Sequence, residues 1–122
     1  MKKLKYKNNK IEVDGIKFDS KAEYKRYTEL KLFERVKNIS DLQLQVKFEL
    51  QPSFKDQNGK QQRAITYIAD FVYKEGDNII VEDLKSIITS KDSIYRLKKK
   101  MLLWLFKNDE DYFNFKFKEV IK

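Results

Sequence analysis

The stretch from residue 65 to residue 86, ITYIADFVYKEGDNIIVEDLKS, constrains the fold more than any other part of the chain. Two runs rich in apolar and β-branched residues flank the polar segment KEGDN at residues 74–78, a pattern typical of an antiparallel β-hairpin. Asp70 lies in the first predicted strand, and Asp83 and Lys85 lie in the second. Charged groups inside apolar strands are costly unless they pair or bind a metal ion, so these three residues are the first candidates for a site.

The faces of the hairpin strands decide what these charges can do together. Because side chains alternate along a strand, Asp83 and Lys85 point to one face while Glu82 and Leu84 point to the other. Whether Asp70 shares a face with Asp83 depends on the register, which the sequence does not fix where both faces are apolar. An ordinary ion pair between Asp83 and Lys85 therefore stands beside a site built from all three residues. We interpret Glu82 as solvated, or as a substitute for Asp83 if the strand carries a bulge.

The length and composition of the chain limit its chemistry and its partners. The 122 residues suffice for one core, and we expect a single domain at residues 11–122 behind a basic arm at residues 1–10. The 27 Lys and Arg against 19 Asp and Glu give a charge of +8, which favours a polyanionic partner such as nucleic acid. The absence of Cys and His excludes thiol catalysis, imidazole acid-base chemistry and metal sites built on either residue. The longest apolar run, residues 101–106, is too short to span a bilayer, and without a signal-peptide core we expect a cytoplasmic protein.

The first half of the chain predicts a short hairpin, a helix and a strand. Residues 11–13 and 16–18 flank an Asp-Gly turn, and the capping-box pattern from Ser20 to Glu23 starts a helix that runs to about Lys37. The apolar side of this helix holds Ala22, Leu30, Phe33 and Val36. Glu23 lies about 20° from Leu30 at the edge of that side and leans inward, with a simple capping role as the alternative. Residues 42–50 then alternate between apolar and polar side chains, as in a strand with one wet face.

The second half predicts the hairpin, another helix and a last strand. The hairpin strands are expected near residues 63–73 and 79–85, and the helix from Asp92 or Ser93 to about Lys107. We expect the apolar stripe of this helix to face the core: Ile94, Leu97, Met101, Trp104 and Leu105. Residues 113–118 alternate again, and after a crossover helix this strand should pair parallel to an inner strand. The expected fold is therefore an α/β fold, with a mixed sheet flanked by helices.

The oxygen ligands available in the hairpin favour particular metals and a particular reaction. Carboxylates without His or Cys favour Mg²⁺ or Mn²⁺, which bind through one or two carboxylates together with a phosphate. Such a site suits the hydrolysis of phosphodiesters, in which Lys85 would orient the attacking water or neutralise the developing charge.

Short motifs in the chain resemble a known enzyme superfamily. YIADF at residues 67–71, followed by VEDLKS at residues 81–86, is similar to the PD-(D/E)XK nuclease motif, with Ala69 in place of the proline. FDSKAE at residues 18–23 resembles the start of the first helix in small phage endonucleases of that superfamily that resolve Holliday junctions. The predicted αβββαβ order is similar to its restriction-endonuclease-like core, and the chain also resembles a group of small phage proteins of unknown function regarded as PD-(D/E)XK-like. The resemblance covers about Phe18 to the end of the chain.

The resemblance implies a role for each candidate residue. Asp70 and Asp83 would bind Mg²⁺ or Mn²⁺ together with the backbone carbonyl of Leu84, and Lys85 would be the catalytic lysine. Glu23 would supply a helix-borne carboxylate that completes the metal site directly or through water. The candidates for contacts with phosphates are Lys91, Arg96, Lys98, Lys99 and Lys100, with a solvated helix face as the alternative.

Three classes of function remain open from the sequence. The leading hypothesis is a Mg²⁺-dependent DNA endonuclease, which the resemblance extends to branched DNA in phage replication or recombination, in the cytoplasm of a bacterial host. A chain of this size leaves little room for reading bases, and cutting two strands requires two sites, so we expect a homodimer that recognises shape. The alternative is a non-catalytic nucleic-acid-binding module that keeps the nuclease fold. The third class is a protein-interaction or assembly factor.

Overall fold

A computed structural model of the chain describes residues 10–122, so the basic arm predicted at residues 1–10 lies outside the described residues except for Lys10. The elements in chain order are β1 (Ile11–Val13), β2 (Ile16–Phe18), α1 (Lys21–Arg35), β3 (Ser40–Gln51), β4 (Phe54–Lys55), β5 (Gln61–Gln62), β6 (Ile65–Glu75), β7 (Asn78–Lys85), α2 (Ile87–Ser90), α3 (Ser93–Asn108), a 3₁₀ turn (Glu110–Tyr112) and β8 (Phe115–Ile121). The fold is α/β, as the sequence predicts.

The main sheet has four strands in the order β3-β6-β7-β8. The three strands β3, β6 and β7 pair antiparallel, and β8 pairs parallel to β7, which confirms the parallel pairing expected after a crossover helix. Small antiparallel hairpins form from β1 with β2 and from β4 with β5. The two central strands, β6 and β7, are the ones that carry Asp70, Asp83 and Lys85.

One helix covers each face of the sheet, so the protein has two small cores. On one side Leu102 and Phe106 of α3 pack with Phe48, Tyr67 and Val81 of the strands. On the other side Leu30 of α1 packs with residues such as Phe71, Tyr73 and Ile80. Because both faces are covered, the central strands are apolar on both sides.

The prediction that the apolar stripe of α3 faces the core is mostly wrong, since Leu105 is the one member of the stripe that packs against the described core. Leu102 and Phe106 are buried there, whereas Ile94, Leu97 and Trp104 are mostly exposed. Met101 and Leu105 are half-buried. The helix is apolar on two faces, and the packing against the sheet selects the neighbouring face, on which Leu102 lies about 100° from Met101.

The predicted inner side of α1 is only partly right. Leu30 and Glu23 are buried, but Phe33 and Val36 are exposed at the end of the helix. The helix ends at Arg35, two residues before the predicted Lys37, and Ser20 caps its start as predicted, its side chain accepting a hydrogen bond from the Glu23 N–H. This cap fixes Glu23 in the first turn of α1, close to Asp70 of the central strand β6.

Candidate active site

The central hairpin separates where its two carboxylates lie. The backbone pairing of β6 with β7 runs from Glu75 and Asn78 to Phe71 and Glu82 and stops there. Beyond that point side chains replace the backbone ladder. The Leu84 N–H donates to Asp70 Oδ2 at 2.9 Å, and the Asp70 N–H donates to Asp83 Oδ1 at 2.8 Å. The two aspartates therefore brace a fork in the sheet and satisfy backbone groups that lack a strand partner.

The sheet is also irregular on the other side of Asp70. In the pairing of β3 with β6, Leu44 opposes Phe71 and Val46 opposes Ala69, but Asp70 has no partner. Gln45, which would oppose it, has a left-handed backbone with φ of 54°. Such a conformation is uncommon outside glycine and marks a local distortion within β3. Asp70 thus lies between the fork on the β7 side and a local distortion on the β3 side.

A cavity of about 370 Å³ opens at this fork. It brings together the carboxylates of Glu23 and Asp70 with Leu84 and Lys85, and all four were predicted from the sequence as site residues. The remaining lining residues are Asp19, Ser20, Ala22, Ser86, Thr89 and Lys122. The side chains of Glu23 and Asp70 come from a helix and a strand that are distant in sequence, so their meeting is a product of the tertiary fold.

Burial and mutual repulsion make Glu23 and Asp70, two of the three acids that line this cavity, weak. Burial raises the pKa of Glu23 from 4.5 to about 7, and the charges of Asp70 and Asp19 add to this effect. Burial also raises the pKa of Asp70 to about 6, with the charge of Asp83 acting in the same direction. Two acids that burial and repulsion hold partly protonated near neutral pH are typical of sites that take up a cation.

Asp83 is not oriented like the metal ligand that the resemblance implies, because both of its oxygens accept hydrogen bonds inside the protein. Its side chain is fully buried, Oδ1 accepts from the Asp70 N–H, and Oδ2 accepts from the Tyr67 hydroxyl. It lines a second cavity of about 300 Å³, together with Lys98 and other residues, but does not line the cavity of Glu23. Burial raises the pKa of Asp83 while the charge of Lys85 opposes that rise.

Lys85 connects the two cavities. It lines both of them, and its Nζ lies 3.7 Å from Asp83 Oδ2 and 5.0 Å from the centre of the Tyr95 ring. This contact is the same-face ion pair that the strand alternation predicts. Within residues 10–122, no three acidic side chains are arranged closely enough to form a metal-binding group by themselves. A divalent ion in the larger cavity would therefore take two carboxylates, with backbone oxygens, water or phosphate as the other ligands.

A buried ion pair fastens α1 to the sheet next to the cavity. Arg26 donates from Nε to Glu82 Oε2 at 2.6 Å and from Nη2 to Glu82 Oε1 at 3.0 Å, and the Tyr73 hydroxyl donates to Oε1 at 2.7 Å. Glu82 is fully buried, so its interpretation as a solvated residue is wrong. Arg26 follows Glu23 by three residues, so the two side chains lie on the same side of α1. Because Glu23 is predicted to lean inward, this spacing could have predicted that Arg26 also faces the sheet. Arg26 and Glu82 thus hold the helix turn that carries Glu23.

The chain matches one family of proteins. A family model described as a protein of unknown function, DUF1064, matches residues 3–121. The chain belongs to the DUF1064 family. No curated protein and no solved structure matches this DUF1064 chain.

The cations predicted to contact phosphates fall into two groups in the DUF1064 chain. Lys91, Arg96 and Lys100 are exposed. Lys98 is half-buried beside Asp83 in the second cavity, and Lys99 forms an ion pair with Glu119 at 3.1 Å. The exposed group is free to meet a polyanion, whereas Lys99 is engaged in holding β8.

No helix among residues 10–122 of the DUF1064 chain is both long and apolar enough to cross a membrane. The helix that contains the longest apolar run, α3, is amphipathic and packs on the sheet.

Proposed function

We propose that this DUF1064 protein is a divalent-metal-dependent DNA endonuclease of the PD-(D/E)XK type. The observation that supports it best is the convergence of Glu23, Asp70, Leu84 and Lys85 around one cavity at the fork of the central hairpin. Each of these residues has an ordinary structural explanation by itself. Two carboxylates, a backbone segment and a lysine at one opening in the sheet form the donor set that phosphodiester hydrolysis with a hard metal ion requires.

The residues around the larger cavity fit Mg²⁺ or Mn²⁺. Mg²⁺ binds through one or two carboxylates and keeps several waters, so Glu23 and Asp70 suffice on the protein side, with the Leu84 carbonyl as a further oxygen. When bound, such an ion polarises the phosphate and lowers the pKa of a coordinated water. Asp83 supports the site from behind, because it holds the Asp70 backbone at 2.8 Å while facing the second cavity. We therefore assign Asp83 to positioning Asp70 and leave direct contact with the ion to Glu23 and Asp70.

Lys85 supplies a positive charge where the scissile phosphate would lie. Its Nζ is held at 3.7 Å from Asp83 and over the Tyr95 ring, so it is oriented and only partly exposed. An ammonium group fixed in this way stabilises the charge that develops on a phosphate in the transition state, because it needs no reorganisation. Without a cation, Glu23 and Asp70 bind and release protons near neutral pH, because their pKa values are raised to about 7 and about 6.

The nucleic-acid partner follows from charge and size. The chain carries a charge of +8, and Lys91, Arg96 and Lys100 are exposed on and before α3. Contacts of this kind bind the phosphate backbone and read no sequence, which favours recognition of DNA shape, such as a branch. Cutting both strands requires two sites, so we propose a homodimer, and a cytoplasmic location in a bacterial host.

Incubation of the purified protein with branched and linear DNA tests this proposal. We expect cleavage with Mg²⁺ or Mn²⁺ and none with EDTA. Asp70→Asn and Lys85→Met should each abolish cleavage, while Asp77→Asn, in the exposed turn of the same hairpin, should not. Absence of cleavage by the wild type with every divalent metal, or full activity of Asp70→Asn, would contradict the proposal.

A second candidate is a DNA-binding module without catalysis. The enclosed position of Asp83 favours it, since both oxygens of this carboxylate are engaged by the protein. The module would bind DNA in a salt-sensitive manner, with affinity unchanged by Asp70→Ala or Asp83→Ala. Retained binding with loss of cleavage in these variants would favour the enzyme.

A further inference from the structure

Helix α3 exposes an apolar stripe to solvent. Ile94, Leu97 and Trp104 are 65%, 59% and 67% exposed, and half-buried Met101 lies between them. Their spacing of three, four and three residues places all four on one side of the helix. Large apolar side chains that cluster on the surface of a small protein mark a surface that another molecule covers.

The stripe is separate from the cations of the same helix. Arg96, Lys100 and Lys107 are exposed and lie on a neighbouring ridge, so a DNA duplex held by that ridge would leave the aliphatic side chains in water. The stripe also ends at Asp109, Glu110 and Asp111, which an anionic membrane surface would repel. An apolar protein surface is the partner that fits the stripe.

The two ends of the stripe carry opposite charges. Residues 91–98 hold Lys91, Arg96 and Lys98 against Asp92, a net charge of +2. Residues 104–111 hold Lys107 against Asp109, Glu110 and Asp111, a net charge of −2. In an antiparallel pair of such helices, the basic end of each copy lies near the acidic end of the other, and the helix dipoles also oppose. The charge pattern is therefore complementary to itself, which is the requirement for a twofold interface.

The apolar residues are complementary to themselves in the same arrangement. About a twofold axis level with residue 99, Ile94 of one copy lies opposite Trp104 of the other, and Leu97 lies opposite Met101. In the same register Lys98 of one copy lies opposite Lys100 of the other, but Lys100 is exposed and can turn into solvent, so their repulsion costs little. The packing resembles that of antiparallel helices in a bundle.

We propose that α3 is the dimer interface and that its apolar stripe packs against the same stripe of a second copy. The inference rests on the proposed function in one respect, since a nuclease that cuts both strands needs two sites. Ile94 also lines the second cavity with Asp83 and Lys85, so in each copy this interface lies beside the cavity that Lys85 connects to the candidate site. One helix pair buries less than the about 1,600 Å² that is typical of stable complexes, so the dimer should dissociate on dilution.

The experiment measures the mass of the full chain over a range of concentrations, by sedimentation and light scattering, without DNA or metal. We expect the mass to rise from 14.8 kDa towards twice that value. Trp104 is the only tryptophan, so its emission should shift to shorter wavelength as the dimer forms and the indole leaves water. Because the measurement needs no cleavage, a chain without nuclease activity can still be found to dimerise, and an active nuclease can be found to stay monomeric.

Variants on two sides of α3 locate the interface. Leu97→Glu and Ile94→Glu should each abolish the dimer, and both residues are exposed in the protomer, so the fold should survive, as circular dichroism can verify. Leu103→Glu, at an exposed leucine on another side of α3, should leave the dimer intact. A protein that stays monomeric at every concentration overturns the proposal, and so does a dimer that persists in folded Leu97→Glu.

Discussion

Replacing Arg26 with methionine should destabilise the protein strongly. The change leaves Glu82 fully buried with one remaining hydrogen bond, the one from Tyr73. Breaking a buried ion pair by removing one partner costs about 3–5 kcal/mol, since the other charge stays buried. A domain of this size has about 5–15 kcal/mol of stability in total, so Arg26→Met should lose a large share of it.

Urea denaturation followed by circular dichroism measures this loss, and a double-mutant cycle identifies its cause. Glu82→Gln removes the buried charge, so Arg26→Met combined with Glu82→Gln should lose less stability than the sum of the two single variants. Arg35→Met, at the exposed end of the same helix, should change the free energy of unfolding by less than about 0.5 kcal/mol. If Arg26→Met lies within about 1 kcal/mol of the wild type, or if the two changes simply add, the account of the buried pair is wrong.

Three further predictions concern the cavity and its support. In metal-free protein, the free energy of unfolding should fall as the pH rises from about 4.5 to about 7, because folded Glu23 keeps its proton in that window and the unfolded chain loses it. Denaturant titrations at several pH values should show a weaker dependence of this free energy on pH in Glu23→Gln than in the wild type. Mn²⁺ at pH 7 should raise the melting temperature of the wild type and leave that of Asp70→Asn unchanged, which thermal scans can measure. Tyr67→Phe removes the hydroxyl that donates to buried Asp83 and should cost about 1–3 kcal/mol in urea denaturation; an unchanged midpoint would contradict the buried hydrogen bond.

The arrangement of strands and helices could be predicted from local patterns. The Asp-Gly turn of the first hairpin, the Ser20 cap and the alternation in β3 are signals that neighbouring residues carry by themselves. The parallel pairing of β8 with β7 could be predicted because a long helical connection separates the two strands, and parallel strands need such a crossover where antiparallel ones can be joined by a tight turn. Glu23 could be placed near the sheet because the cap fixes the first turn of α1.

The parts that could not be predicted depend on choices between two apolar faces. Helix α3 can bury either Leu102 and Phe106 or the stripe with Leu97 and Trp104, and only the shape of the sheet decides. The orientation of Asp83 depends on the fork in the hairpin, where its Oδ1 accepts from the Asp70 N–H. The left-handed backbone of Gln45, opposite Asp70, belongs to a residue type with no strong preference for that conformation. Such features arise from tertiary packing, which overrides the local pattern.

Diffraction from crystals soaked in Mn²⁺ shows whether Glu23 and Asp70 hold a divalent ion together. We expect an anomalous peak between the carboxylates of Glu23 and Asp70, near the carbonyl of Leu84, and loss of that peak in Asp70→Asn crystals. A peak at the surface acids Asp109–Asp111 alone, or no peak at saturating Mn²⁺, would contradict this expectation.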